Sequence, residues 1–196
     1  MIKVGVTGGI GSGKSTVCRV LQVLGAPVFH ADAEAKRLYG LPEVRSAVIR
    51  AFGEGVYIGD VLDRKAMADR VFHDPGALAT LNGIIHPAVR ERFRSWAAGQ
   101  QAPYVVMEAA ILAETGGAAG FDHLVVVSAP EDLRIQRVMR RDGAGEEAVR
   151  ARLRSQTDEA ARLALADTVI VNDDRSLVVP QVVELHRRLI AHGPSA

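Results

Sequence analysis

Cysteine is nearly missing from this chain: Cys18 is the only one in 196 residues, which excludes an intramolecular disulfide and any cysteine-cluster metal site. It sits among apolar residues in a helical pattern and reads as packing. Charge of one sign is missing too. The 24 basic and 23 acidic residues leave a net charge of +1, which gives no general attraction to nucleic acid or membrane. No apolar run approaches the roughly 20 residues of a membrane span, and no basic N-terminal stretch leads into an apolar one. The expectation is a soluble cytoplasmic protein whose partners are small molecules, with no nucleic acid, no membrane and no obligate protein partner. The six histidines show no pairing with cysteine or carboxylates at metal-ligand spacing, so no zinc site is expected. Lysine is scarce, with Lys3, Lys14, Lys36 and Lys65 against 20 arginines, a bias of little functional weight. Repeats and low-complexity segments are absent.

What is present is the balance of a globular protein, 48% hydrophobic and 24% charged, at a length that suits one domain with insertions. Ile2, Val4 and Val6 form a short strand running straight into glycines. Val17, Val20, Leu21 and Leu24 then fall at helical spacing, and Gly25 stops that helix. Pro27–His30 reads as a second strand. From about Ala33 to Gln101 the pattern is helical and polar-rich, too long for one crossover, and predicts an inserted helical subdomain over 33–101. His86-Pro87 within it predicts a fixed turn into a helix, with Pro87 at its first position. Further strands are predicted at Tyr104–Met107, Leu124–Val127 and Thr168–Val171, with a closing helix from Leu177 to Ile190. Ser128 and Glu131 read as a capping box for the helix carrying Arg134, Arg137 and Arg141. Short apolar strands separated by helices indicate a parallel α/β sheet covered on both sides. Ligands of such sheets bind at strand C-terminal ends, so Thr7, His30, Asp32, Glu108 and Ser128 should gather on one edge.

Gly8-Gly9-Ile10-Gly11-Ser12-Gly13-Lys14-Ser15 matches G-x-x-x-x-G-K-[ST] and lies between a strand and a helix, as that motif demands. Gly9, Gly11 and Gly13 let the backbone turn tightly and bring its N–H groups, with that of Ser12, to phosphate oxygens. The helix beginning near Lys14 adds its positive dipole end. Lys14 would reach the β- and γ-phosphates, Ser15 would ligate Mg²⁺ and Thr16 would touch the α-phosphate. Nucleotide phosphate binding follows. A guanine-specific Asn-Lys-x-Asp is absent, since neither Asn82 nor Asn172 precedes a lysine. No strand ends in an aspartate of the Walker-B kind; Glu108 is the nearest acidic equivalent. A small-molecule kinase needs an acid beside the acceptor, a covering subdomain and mobile arginines, and each has candidates.

Asp32 closely follows the second strand, where a carboxylate can orient an acceptor hydroxyl and take its proton. The other reading is an N-cap for the helix beginning near Ala33. Arg137 and Arg141 lie four apart on one helix face before a glycine break, where they could close over a triphosphate. A solvated basic face is the alternative, and Arg134 and Arg140 read as solvated or salt-bridging. His86 alone is more often structural than catalytic.

Over almost its whole length the chain resembles the dephospho-coenzyme A kinases. The likeness runs through Thr7–Thr16, Ala31-Asp32, Leu62–Lys65, Val71-Phe72, Leu81–Pro87, the segment Gln136-Arg137…Arg141-Asp142 with Gln156, and Ala166–Asn172, in family order. The resemblance implies transfer from MgATP to the ribose 3′-hydroxyl of dephospho-CoA, with ATP and Mg²⁺ required. It implies a P-loop kinase fold with a five-stranded parallel sheet of order 2-3-1-4-5, an acceptor-side subdomain and a lid over 137–158. Asp32 matches the family's proposed base, and Arg137 and Arg141 its lid arginines. Arg64 and His86 match acceptor-side positions, and the stretch from Asn172 matches the adenine-side loop. The chain departs from the family with His30-Ala31-Asp32 in place of Asp-Ala-Asp, and with Ala110-Ile111-Leu112 in place of Pro-Leu-Leu, Glu114 being retained. The alternatives are a P-loop kinase of another small hydroxylated, nucleoside-like substrate, or a nucleotide-binding regulatory module. No Asp-Gly-Phe-Pro-Arg-like signature of nucleoside monophosphate kinases is present.

Overall fold

Short unbroken valine and isoleucine runs make strands that must be covered on both faces, and helices supply the cover. A computed structural model describes residues 1–72, 74–110, 112 and 120–191. The chain divides into two compact units, Met1–His30 with Gln100–Ala196, and Ala31–Gly99. The first unit opens with β1 (Ile2–Thr7), α1 (Lys14–Val23) and β2 (Val28–His30). The second unit follows as α2 (Ala31–Leu38), α3 (Pro42–Phe52), a 3₁₀ turn (Glu54–Val56), β3 (Tyr57–Ile58), β4 (Val61–Leu62), α4 (Arg64–Val71) and α5 (Pro75–Ala98). The chain then returns with β5 (Tyr104–Glu108), β6 (His123–Ser128), α6 (Glu131–Asp142), α7 (Glu146–Arg154), α8 (Glu159–Leu163), β7 (Thr168–Val171) and α9 (Val178–Ala191).

The main sheet is five-stranded, parallel and ordered β2-β5-β1-β6-β7. Numbering its five strands in chain order turns this into 2-3-1-4-5, as the family resemblance implied. The register sets Val6 opposite Glu108, Glu108 opposite His30, and Thr7 opposite Val126, so β2 and β5 end together, β1 runs on to Thr7, and β6 runs further to Ser128. Val4, Val6, Val106, Val125 and Val127 are buried and share one core with Val17, Cys18 and Leu21 of α1 and Val182, Leu185 and Leu189 of α9. Burying a side chain such as Leu21 is worth about 1.5–3 kcal/mol, so these contacts hold the helices to the sheet. The Cys18 thiol is fully buried in that core. Burial pushes its pKa well above the ordinary thiol value, and Glu108 adds to the shift. Helix α1 ends where Gly25 takes φ +91°, a conformation costly for any residue with a Cβ.

In the second unit, α5 buries Leu81, Ile85, Val89, Phe93 and Ala97, one residue per turn along a single stripe. Asp63 and Asp74 cap α4 and α5, each accepting two backbone N–H bonds at 2.8–3.1 Å.

Three local readings are corrected. Pro87 does not open a helix; it lies inside the 24 residues of α5. Its fixed φ suits a helix, and the turns on either side, buried through Ile85 and Val89, hold the segment despite one missing hydrogen bond. Ser128 and Glu131 form no capping box: Pro130 occupies the N-cap without a side-chain bond, and Ser128 Oγ donates instead to Glu159. Asp32 is not an N-cap, because α2 already begins at Ala31 and Asp32 lies in its first turn. No helix among the described residues is long and apolar enough to cross a membrane.

Candidate active site

The glycine loop leaves β1 at Thr7 and enters α1 at Lys14, so its backbone must reverse within six residues. Gly11 (φ +79°) and Gly13 (φ +97°) supply the left-handed torsions this requires. Both also sit where no side chain fits: a Cβ on Gly11 would lie 2.5 Å from the Arg134 carbonyl oxygen, and one on Gly13 would lie 2.1 Å from Asn172 Nδ2. Gly13 caps α1 without a side-chain bond, and the first turn carries no acid. The N–H groups and positive dipole end of α1 are thereby left open to an anion. Lys14 folds back over the loop, its Nζ donating to Gly8 O at 2.8 Å and to Gly9 O at 3.4 Å. Ser12 Oγ is buried with no hydrogen-bond partner among the described residues. Ser15 and Thr16 are exposed in the first turn of α1.

The loop is held from outside by polar side chains. Asn172 Nδ2 donates to Ser12 O at 2.8 Å, and Gln156 Oε1 accepts the Ile10 N–H at 2.9 Å. Arg137 is half-buried and fully engaged. Its Nη1 donates to Asn172 O at 3.1 Å and more weakly to Gly11 O at 3.5 Å. Its Nη2 donates to Asn172 Oδ1 at 3.3 Å and to Asp174 at 2.5 Å. Arg141, one turn further on, is exposed and, among the described residues, reaches its neighbour Asp142 alone, at 2.7 and 3.1 Å. Hydrogen bonding from Arg141 holds the Asp142 carboxyl below the usual carboxylate range. The two arginines that the spacing put on one face thus have different surroundings.

At the strand ends, Thr7 is buried with Oγ1 donating to Ala110 O at 3.4 Å. His30 Nδ1 donates to Glu108 Oε2 at 2.5 Å, while Gln22 Nε2 lies 3.5 Å from His30 Nε2. The edge therefore gathers Thr7, His30, Glu108 and Ser128 at the C-terminal ends of four adjacent strands. Asp32 follows β2 by two residues in the chain and is exposed, with no hydrogen bond or ion pair from its carboxylate among the described residues. Arg64 is the exposed first residue of α4, directly after the Asp63 cap. His86 is half-buried in α5, where burial pushes its pKa down and Arg90 adds to the shift, favouring a neutral ring. Glu114 and Ile111 lie outside the described residues.

Reasoning from the sequence missed the buried residues behind the loop. Arg134 is 7% and Arg162 1% exposed. Both meet Glu159, at 3.7 Å and 2.8 Å. Of the two readings of Arg134, solvated or salt-bridging, the ion pair with Glu159 bears out the second, and the first fails because Arg134 shares the inner face of α6 with Ile135 and Val138. That i,i+4 relation to Val138 was the available signal. Arg134, Arg150, Gln156, Thr157 and Arg162 line a cavity of about 440 Å³. A second, of about 360 Å³, is lined by Pro130, Leu133, Gln136 and Asp173–Arg175.

A family model described as dephospho-CoA kinase matches residues 2–177. A dephospho-CoA kinase of Methylococcus capsulatus is 44% identical over 192 residues, covering 96% of each chain. Another, of Bacteroides fragilis, is 40% identical over 186 residues, covering 94% of this chain and 91% of its own. The crystal structure of TT1252 from Thermus thermophilus superposes with a TM-score of 0.84 at 34% identity, over 100% of this chain and 98% of that one. A phosphate loop on a five-stranded parallel sheet of this order, in a chain matched almost end to end, places the protein in the dephospho-CoA kinase family.

Proposed function

We propose that this chain transfers the γ-phosphoryl group of ATP to the ribose 3′-hydroxyl of dephospho-CoA, giving CoA and ADP, in the cytoplasm. The observation that carries the reading is the glycine loop itself, with Lys14 folded over it at the open N-terminus of α1. In this reading the triphosphate takes the loop's N–H groups, and Lys14 meets the β- and γ-phosphates. Ser12 Oγ, buried within the loop and without a hydrogen-bond partner among the described residues, is a further polar group suited to a phosphate oxygen. Adenine lies on the Asn172 side, beside the cavity lined by Pro130, Leu133, Gln136 and Asp173–Arg175.

The residues present fit magnesium. Ser15 offers an exposed hydroxyl at the head of α1, and this ion needs few protein ligands when phosphates and water supply the rest. Neutralising charge shared by the β- and γ-phosphates is the chemistry it supplies there. Asp32 orients the acceptor hydroxyl and accepts its proton. Thr7, Arg64, His86 and Glu114 bind the acceptor. The segment 137–158 acts as a lid, with Arg137 on the adenine side and Arg141 delivering positive charge to the transferring group. Nucleic acid, membrane and obligate protein partners have no part in this reading.

Arg141 gives a graded test. Its ion pair with Asp142 is exposed and therefore weak, so the side chain is easily recruited. Arg141→Ala is expected to lower kcat by about 10- to 100-fold while ATP affinity changes by less than about threefold. Equal losses in both, by steady-state kinetics and calorimetry, would make it a ground-state contact. The reaction itself is tested by ADP release with dephospho-CoA, adenosine, AMP and pantetheine compounds as acceptors. Dephospho-CoA alone should support rapid release; a preference for another hydroxylated acceptor would reassign the substrate.

A further inference from the structure

One stretch of chain outside the phosphate loop grips it at Gly9 and Ile10. The Ile10 N–H donates to Gln156 Oε1 across 2.9 Å. The Ile10 side chain packs against a buried cluster of Ile135, Val138 and Val149 from α6 and α7, with Leu153 beside it. Gly9 lies flush against Arg134, since a Cβ there would fall 2.1 Å from Nη1. Gln156 is itself anchored, its N–H donating to Leu153 O at 3.0 Å where α7 ends. Arg134 is backed by Glu159, which also accepts from Arg162 and from Ser128, each at 2.8 Å.

These contacts answer a local weakness. Glycine at 9 and 11 leaves the backbone on both sides of Ile10 with soft torsions, so local sterics alone do not select one orientation of the Gly9–Ile10 peptide. Amides of such loops ordinarily point inward at an anion. The Ile10 amide is turned to a side chain instead, and this fixes the plane of that peptide from outside. Rotating it costs the bond to Gln156 and, within the loop, the bond that the Ser12 N–H donates to Gly9 O at 3.1 Å.

We propose that Gln156 and Arg134 are positioning residues for phosphoryl transfer. They hold the Gly9–Ile10 peptide so that the remaining loop amides and Lys14 meet the triphosphate without rearrangement. The inference deepens the function proposed above and rests on it. It also gives α7 and the residues after it a second role, since besides covering the site they form the wall against which the loop is set.

The test joins amide exchange to kinetics. Gln156→Met keeps the side-chain length and removes the acceptor; Gln156→Asn keeps the amide group and shortens its reach. In both variants exchange of the Ile10 amide, followed by NMR without substrates, should accelerate by about tenfold, as for loss of one hydrogen bond. In both, kcat/KM for ATP should fall by about tenfold while KM for dephospho-CoA stays within about twofold. A role in stability alone would lower the melting temperature and leave kcat/KM of the folded enzyme unchanged. Faster exchange with unchanged kinetics therefore overturns the positioning role, and unchanged exchange overturns the contact. If wild-type enzyme releases no ADP with dephospho-CoA, the function reading falls and takes this inference with it, and the substrate-free exchange result still identifies which of the two failed.

Discussion

Lys14→Ala is expected to lower kcat/KM for ATP by about 10²–10³-fold, the scale of removing one preorganised charge stabiliser from a phosphoryl-transfer site. The lysine is the first residue of α1, and its stem carries the ammonium back over the loop to Gly8 O and Gly9 O. Those contacts hold the charge beside the amides that would receive the β- and γ-phosphates. Removing it takes a full positive charge from a partly buried position, where screening by water is incomplete. ATP affinity and transfer should both fall, because the ammonium meets charge present in the ground state and charge shifted during transfer. Lys14→Arg should not restore activity, since the planar guanidinium is larger than the ammonium that reaches Gly8 O. Calorimetric titration with ATP and initial-rate kinetics check this. An unchanged dissociation constant would show that the loop alone holds the nucleotide.

The second large effect belongs to Asp32. Asp32→Asn should cut the transfer rate by about 10²–10⁴-fold, the range of a lost general base. ATP affinity should stay within about threefold, because the loop and Lys14 are untouched. The structure gives this test a clean background. Asp32 is exposed in the first turn of α2 and neither caps it nor pairs with another described side chain. Its charge at the helix N-terminus is worth only about 0.3–1 kcal/mol, so the asparagine variant stays folded. Single-turnover measurement in a quenched-flow instrument separates transfer from product release. A wild-type single-turnover rate would remove Asp32 from the chemistry.

The parts of the fold read correctly from sequence were those set by local pattern. Thr168–Val171 was legible as a strand because four apolar or β-branched residues stand between an aspartate and an asparagine. The strand–loop–helix around Lys14 was legible because glycine spacing and helical periodicity adjoin. The errors arose where distant residues decide the local outcome. Ser128 looked like a cap until α8 brought Glu159 to 2.8 Å from its hydroxyl. Arg134 stayed open between solvated and salt-bridging because Glu159, its partner, is remote in sequence. Pro87 looked like a helix start because proline usually is one, yet the stripe through Ile85, Val89 and Phe93 outweighs one absent hydrogen bond. The hairpin of β3 and β4 was missed because each strand has only two residues, although Gly59-Asp60 between them is a recognised turn pair.

The same distinction applies to the loop. Its sequence reveals which residues can turn tightly and bind phosphate, since those demands are met within a few positions. What holds the loop in place comes from Gln156, Arg137 and Asn172, far along the chain, and only the fold brings their donors and acceptors to Ile10, Gly11 and Ser12. The fold likewise distinguishes Arg137, engaged on four oxygens, from Arg141, paired with its neighbour Asp142.

The most direct test is product identification by phosphorus NMR after incubating the purified protein with ATP, magnesium and dephospho-CoA. The expected result is stoichiometric loss of the γ-phosphate signal, formation of ADP, and a new phosphomonoester on the 3′ position of the acceptor. Inorganic phosphate released at the same rate with or without dephospho-CoA, or a phosphoester formed elsewhere on the acceptor, would contradict it.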